Sequence, residues 1–519
     1  MNDFPWLTVL ALTPLVGAVV TAAMPRTPGA VLPKQVALVF SLLTLGVVVA
    51  IAVQYDAGAG MQFTETHRWI EAFGANYALG VDGLALTLVA LTSLLVPVVI
   101  LASWNDADAG RTNLYFALML ALEGLALGVF LATDVFLFYV LFEATLIPAY
   151  FLIGSFGREG RGKAAVKFLL FMLGGGLVML ASVIGLYVVS SDSGAPSYLV
   201  SDLAALNIDG DTGRWLFVGF FIALAIKCPL FPVHTWLPDT TAASTPGTSV
   251  LLVCVLDKIG TYGMLRFCLG LFPEASDWAT PVVITLALIS VIYGALVAVG
   301  QDDLLRLIGL TSLSHFGYIV LGIFVMNSQG ISGATLFMVN HGLATAALFL
   351  IAGYLIKRRG GSALISQQGG LEKVTPQLAG LFLIAGLASL GLPGLSPFVS
   401  EFLVMVGAFS YSWWVGAIAV SGIVLAAMYI LIAYARTFTG PTRVGLEGVT
   451  DLRRIEVVAV APLLVALVFL GFYPAPVLDV INPATETTMT HVGKSDPPPD
   501  VAESELSTHS GDQDEEAHQ

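Results

Sequence analysis

The sequence predicts an all-α polytopic membrane protein of about fourteen transmembrane helices, ten of them in two inverted five-helix repeats. Three observations predict it. Of 519 residues, 57% are hydrophobic and only 11% charged, against about 25% charged in an ordinary soluble domain. The apolar residues gather into runs of about 20, the length that crosses a hydrocarbon core of ~30 Å. Two runs, one in each half, are interrupted by prolines, a pattern of transporters built from repeats.

Taken in order, the runs begin with 5–23, 33–54 and 80–103, which make an N-terminal section, 1–112. The run from Trp6 to Ala23 lacks a basic leader and a clear cleavage site, so it reads as a first transmembrane helix rather than a removed signal. Runs 113–131, 134–154, 165–189, 215–238 and 246–270 (spans 4–8) form a first repeat, 113–270. Runs 278–300, 305–326, 332–356, 376–411 and 413–437 (spans 9–13) form a second, 278–439. A last run, 455–479, falls in a section 440–482, and 483–519 reads as an acidic disordered tail. Span 7 carries Pro229 and Pro232, and span 12 is too long for one crossing and carries Pro393 and Pro397, so both are expected to be broken helices. Proline removes a helix hydrogen bond and clashes with the preceding turn. In a bilayer, such a break survives only where protein or trapped water satisfies the freed backbone. The spans that follow, 8 and 13, read as straight.

The net charge of −14 is less informative than its distribution. From Ser495 to Gln519 the chain has Asp and Glu but no Lys or Arg, the signature of disorder, and nucleic acid is excluded as a partner. Sixteen of the 22 basic residues, among them Arg158, Lys163, Lys167, Lys357, Arg358 and Arg359, fall on one side of the predicted topology. That side is cytoplasmic by the positive-inside rule, which puts both termini on the other. Cys228, Cys254 and Cys268 lie in or beside apolar spans without metal-like spacing and read as buried thiols.

The chemistry lies in ionisable residues inside the spans. Lys227 stands beside the proline break of span 7, and Lys258 is deep in span 8 with some ten apolar or small residues on each side. A lysine at mid-membrane costs at least ~2.5–3.5 kcal/mol, so each needs a partner or water. Snorkelling explains lysines near helix ends, not one as deep as Lys258. Glu143, in span 5, can stay charged only if paired; it is the acidic partner of Lys227, with a purely structural ion pair as the bland alternative. His315 and His341, in spans 10 and 11, are a candidate relay because imidazole titrates near neutrality, though a lone buried histidine is usually a satisfied core residue. Glu401 follows the second break and is the terminal acid. A second tier comprises Glu123, apolar-flanked; Asp257, on another helix face from Lys258; and His234 and Asp239, in the polar turn. Those two line a water path or cap helix ends; Asp257 is a counter-ion or structural. Lys163 and Lys167 are orientation anchors or modulators of Glu143. A metal site is not expected.

The segments KCPLFPVHTWLPD (227–239), STPGTSVLLVCVLDKIGTYGMLR (244–266), QDDLLRLIGLTSLSHFGY (301–318) and GLPGLSPFVSEF (391–402) resemble the antiporter-like membrane subunits of respiratory complex I. With the fourteen-span layout, the resemblance covers nearly the whole chain apart from the tail. It implies that Glu143 and Lys227 form an ion pair whose opening gates proton loading, that Lys258, His315 and His341 form a hydrated central axis, and that Glu401 terminates it. It also implies L-type and N-type antiporter-like chains on either side, the lateral helix of the L chain alongside, and a bacterial plasma membrane location. The chain departs from the family at Leu305, where a basic residue is usual, at Asp257, where an apolar residue is usual, and at Pro397, where a small residue is usual.

No nucleotide fingerprint, iron–sulfur cysteine set or haem pattern occurs in the sequence. The implied NADH, FMN, iron–sulfur clusters and quinone therefore belong to partner subunits, with no cofactor in this chain. Three other functions compete: an Mrp-type cation/proton antiporter subunit, the equivalent chain of a hydrogenase or ferredoxin-linked complex, and a non-pumping scaffold. A scaffold tolerates neutral replacement of Lys227, Lys258 and Glu401; a pump does not.

Overall fold

The computed structural model describes residues 4–25, 30–108, 110–194 and 196–496. Arg26 and the acidic stretch 497–519 lie outside them. The N-terminal section holds α1 (Trp6–Ala23), α2 (Leu32–Gln54), α3 (Gly83–Ala102) and α4 (Thr112–Leu131). Between α2 and α3 the chain makes an antiparallel hairpin, β1 (Gln62–Ile70) with β2 (Ala75–Val81), where the sequence reading had only a connection. Asp82 ends the hairpin and caps α3, accepting from Ala85 N at 3.0 Å, and its other oxygen binds Arg266 at 2.7 Å.

Asp134 caps the next helix, accepting from Phe136 N and Leu137 N, and also holds the hairpin through Asn76 N at 2.8 Å. That span is two pieces, α5 (Val135–Ala144) and α6 (Leu146–Phe156), joined at Thr145. There follow α7 (Arg161–Asp192), the short α8 (Val200–Ala204), α9 (Gly210–Lys227) and α10 (Trp236–Ala243). The helix break at 228–235 is satisfied by protein: the Trp236 indole donates to Ile226 O at 3.0 Å and Phe231 N to Ser290 Oγ at 2.9 Å.

Span 8 is not straight. It runs as α11 (Pro246–Val250), a π-helical turn Leu251–Leu256, α12 (Asp257–Gly263) and a second π-helical turn Met264–Leu269. π turns add a residue per turn and re-aim the side chains beyond them; here they bracket Lys258. The second half holds α13 (Pro273–Val299), α14 (Leu304–Phe324), α15 (Ser328–Arg358), α16 (Pro376–Ser389), α17 (Ser396–Tyr411) and α18 (Trp413–Phe438). The expected break in span 12 falls between α16 and α17, with Pro397 in the first turn of α17, where a missing N–H is harmless. Two helices close the chain, α19 (Arg454–Phe472) and α20 (Ala475–His491). The tail boundary placed at 483 is thus corrected, because helix continues to His491. α20 is held against α15 by Ser332, which donates to Asn482 Oδ1 and Thr485 Oγ1.

Among the described residues, twelve helices are long and apolar enough to cross a membrane; the pieces of spans 7 and 12 (α9, α10, α16 and α17) are not among these. Apolar windows in Pro246–Leu269, Leu304–Phe324 and Ser328–Arg358 are fully buried, whereas that in Leu32–Gln54 is 28% buried. The helices carrying Lys258, His315 and His341 therefore form the centre, and α2 lies at the exposed rim.

Candidate functional site: a buried file of ionisable side chains

Lys227 is the last residue of α9 and 1% exposed. Its ammonium lies over the Phe142 ring, 4.6 Å from the centroid, and donates to Thr145 Oγ1 at 3.3 Å. The expected ion pair with Glu143 is not closed: Glu143 Oε1 is buried without a hydrogen-bond partner. Instead that carboxylate rests on Gly176 of α7, so closely that a Cβ there would come within 1.8 Å of Oε1. The reason lies at the α5–α6 joint, where Thr145 offers Lys227 a hydroxyl two residues beyond the acid. The Glu143 charge remains within electrostatic range of the lysine.

Lys258 is fully buried on α12. Its Nζ donates to Val253 O at 3.1 Å, a carbonyl of the π turn, and lies 2.6 Å from His341 Nδ1 on α15 and 4.5 Å from the Phe316 centroid. The His341 and His315 rings meet edge-to-face with centroids 5.2 Å apart, and His341 Nε2 and His315 Nδ1 have no hydrogen-bond partner. On its far side His315 Nε2 is 3.3 Å from the hydroxyl of Tyr429, on α18. Both Tyr429 and Tyr318 are within electrostatic range of Glu401, which is 4% exposed. Glu401 lies against Gly391 in the second break, where a Cβ would sit 2.1 Å from Oε2. The structure thus brings Lys258, His341 and His315 into one file, with Glu401 in electrostatic range of the tyrosines at its far end. Tyr429 completes it, and sequence reasoning missed it: a tyrosine in an apolar run carries no charge signal.

The second tier divides. Asp239 receives Lys167 at 2.6 Å and Arg306 at 2.5 Å, and Lys167 also donates to Thr235 O, so this trio ties α7, α10 and α14 together away from Glu143. Lys163 is exposed. His234 is 4% exposed between Phe231 and Tyr293, inside the first break rather than lining an open channel. Glu123 is 1% exposed with neither carboxylate oxygen hydrogen-bonded, and Asp257 is 1% exposed with Oδ2 unpartnered. The three cysteines are buried free thiols, and among the described residues no three His, Cys, Asp or Glu side chains are grouped to hold a metal.

Residues 132–426 match the family described as NADH:quinone oxidoreductase/Mrp antiporter, TM. NADH-quinone oxidoreductase subunit M of Mycobacterium tuberculosis H37Rv is 51% identical, with 97% of each chain covered. The subunit M of Rhodobacter capsulatus is 37% identical over 92% of this chain and 95% of its own. Among solved structures, a chain of respiratory complex I from Thermus thermophilus superposes with a TM-score of 0.86 at 33% identity, covering 94% of this chain and all (100%) of that one. A chain of the Mrp complex from Dietzia shares the fold, with a TM-score of 0.80 at 21% identity over 94% of this chain and 100% of that one. With a buried Lys–His–His–Tyr file on the fold of the complex I membrane arm, this chain belongs to the NADH:quinone oxidoreductase/Mrp antiporter transmembrane family, alongside the subunit M chains.

Proposed function

We propose that the chain is the proton-translocating subunit M of a respiratory NADH–quinone oxidoreductase, coupling quinone reduction in partner subunits to proton transport through its own buried file. The observation that carries the reading is the continuity from Lys258 through His341 and His315 to Tyr429, on four different helices, with Glu401 in electrostatic range of its last member. A protonated Lys258 gives its proton to His341 Nδ1, and the imidazole releases another from Nε2. His315 takes it at Nδ1 and releases one from Nε2 to Tyr429, whose hydroxyl proton passes to the Glu401 carboxylate. The two unpartnered histidine nitrogens are the ones this sequence requires. Lys227, able to turn between Thr145 and Glu143, sets when the file is loaded.

NADH, FMN, iron–sulfur clusters and quinone reside in the partner subunits, and L-type and N-type chains flank this one, with the L chain's lateral helix alongside. The chain is a multi-pass protein of the bacterial plasma membrane with both termini on the non-cytoplasmic side. The excess of basic residues on the other side, sixteen of 22, supports that orientation. Moving one proton against 100 mV takes about 2.3 kcal/mol, a scale that rearranging one buried ion pair supplies. The test is NADH-driven proton pumping together with quinone reduction in membranes carrying Lys227→Ala. Loss of both in an assembled complex upholds the reading; normal rates make the buried lysine structural and the reading wrong.

A further inference from the structure

The helix carrying Lys258 presents two different side chains to two different neighbours. Lys258 turns to His341 on α15. The opposite lean of α12 is set by two glycines against α9: a Cβ on Gly263 would come within 2.5 Å of Leu224 Cδ2, and one on Gly260 within 2.6 Å of Cys228 N. Residues three apart on a helix share a face. Asp257 is one step further along this face than Gly260, and partners on the facing segment climb from Leu224 to Cys228 as the α12 numbers fall. Its carboxylate therefore faces the end of α9, where Lys227 stands. Both lysines are within electrostatic range of it. Neither lysine hydrogen-bonds a carboxylate: Lys227 holds Thr145, and Lys258 holds Val253 O and His341. Asp257 Oδ2 itself is buried and unpartnered. A carboxylate desolvated to that degree is expensive unless it is neutralised by a nearby cation or by a proton.

We infer that Asp257 is a proton-carrying group between Lys227 and Lys258, the stage that joins the first half of the file to the second. This rests on the pumping function proposed above. In the forward step the Lys227 ammonium gives a proton to the Asp257 carboxylate, leaving a neutral amine and a neutral acid. In the next, the acid gives that proton to the neutral Lys258 amine and returns to carboxylate. Charge is conserved in each step, and the aspartate ends as it began.

The experiment compares proton pumping and quinone reduction in membranes carrying Asp257→Asn, Asp257→Leu, Asp257→Glu and Lys258→Ala, each normalised to assembled complex. Leucine is included because exchanging a buried unpaired charge for an apolar side chain is often neutral or stabilising, so this variant assembles if the site is otherwise apolar. The expected result is a fall of about tenfold or more for Asn and Leu, within the ~100-fold or more that a positioned acid–base group supplies, with pumping retained by Glu. Wild-type pumping in Asn or Leu overturns the inference, and so does equal loss in Glu, which assigns the effect to packing. Loss in Lys258→Ala with normal Asp257→Asn overturns the inference alone; normal pumping in both overturns the pumping function as well.

Discussion

Gly176→Ala tests the position of Glu143 without touching any ionisable group. The added Cβ lands 1.8 Å from Glu143 Oε1 and 2.6 Å from its carboxyl carbon, inside any allowed contact, so the carboxylate has to move by more than 1 Å. The obstructing atoms are the end of a flexible side chain, so the fold absorbs the change at the cost of ordinary overpacking, about 1–3 kcal/mol. Part of that returns, since alanine is favoured over glycine in a helix interior by up to ~1 kcal/mol. Function is less forgiving, because misplacing a reacting group by about 1 Å is able to cost ~100-fold. The expected outcome is a complex that assembles near normal levels and pumps at least about tenfold more slowly. Gly174→Ala is the matched control: it is two residues away in the same helix, and a Cβ there meets nothing within 4 Å. The assay is quenching of a pH-sensitive dye by inverted vesicles on NADH addition, with assembly read by native gel. Wild-type pumping in Gly176→Ala, or the same loss in Gly174→Ala, refutes the claim that the resting place of Glu143 matters.

Other expectations follow from the same contacts. Tyr429→Phe removes the hydroxyl next to His315 and is expected to slow pumping several-fold in an assembled complex; an unchanged rate takes Tyr429 out of the file. Gly391→Ala places a Cβ 2.1 Å from Glu401 Oε2 at a backbone φ of +75°, so both assembly and pumping are expected to fall, and a variant normal in both refutes the close fit. Glu456→Gln removes the charge partner of Arg358, whose guanidinium binds Glu456 at 2.5 Å with side chains 10% and 7% exposed, and leaves it only backbone carbonyls of Tyr354, Thr450 and Asp451. Breaking such a pair costs up to about 3–5 kcal/mol when the charge is left uncompensated and less where carbonyls remain, and the complex is expected to dissociate at a lower temperature in a thermal-shift measurement. An unchanged midpoint refutes that.

The legible part of the fold was the part written in composition. Apolar runs located the long helices, and prolines located both breaks, because a missing N–H is a local property that no tertiary context restores. The hairpin was not legible: QFTETHRWI and ANYALGV carry β-branched and aromatic residues but no clean alternation, and a reading tuned to 20-residue apolar runs passes over them. The π turns around Lys258 were also missed, since π and α turns share their residue preferences and differ in register alone. At the site, the titratable residues stood out because charge inside an apolar run is costly. What they touch did not. Thr145, Gly176 and Tyr429 are unremarkable in sequence, and they decide respectively where Lys227 rests, where Glu143 fits, and what His315 meets on its far side.

The two breaks also account for the signs of the charges placed at them. A helix C-terminus carries partial negative charge on its unsatisfied carbonyls and favours a cation; an N-terminus favours an anion. Lys227 closes α9, so its ammonium stands at the carbonyl end of the first broken helix. Glu401 lies in the second turn of α17, but helix side chains lean back toward the N-terminus, and its carboxylate reaches Gly391, inside the break that precedes the helix. A lysine at a C-terminus and a glutamate at an N-terminus are each held by fixed backbone dipoles rather than by a permanent counter-ion. A permanent ion pair would hold its proton too firmly to pass it on. An unaided buried charge would be too costly to form at all. Under the proposed pumping function, the breaks supply an intermediate stabilisation that suits groups which carry charge for part of a cycle and release it when a neighbour changes state.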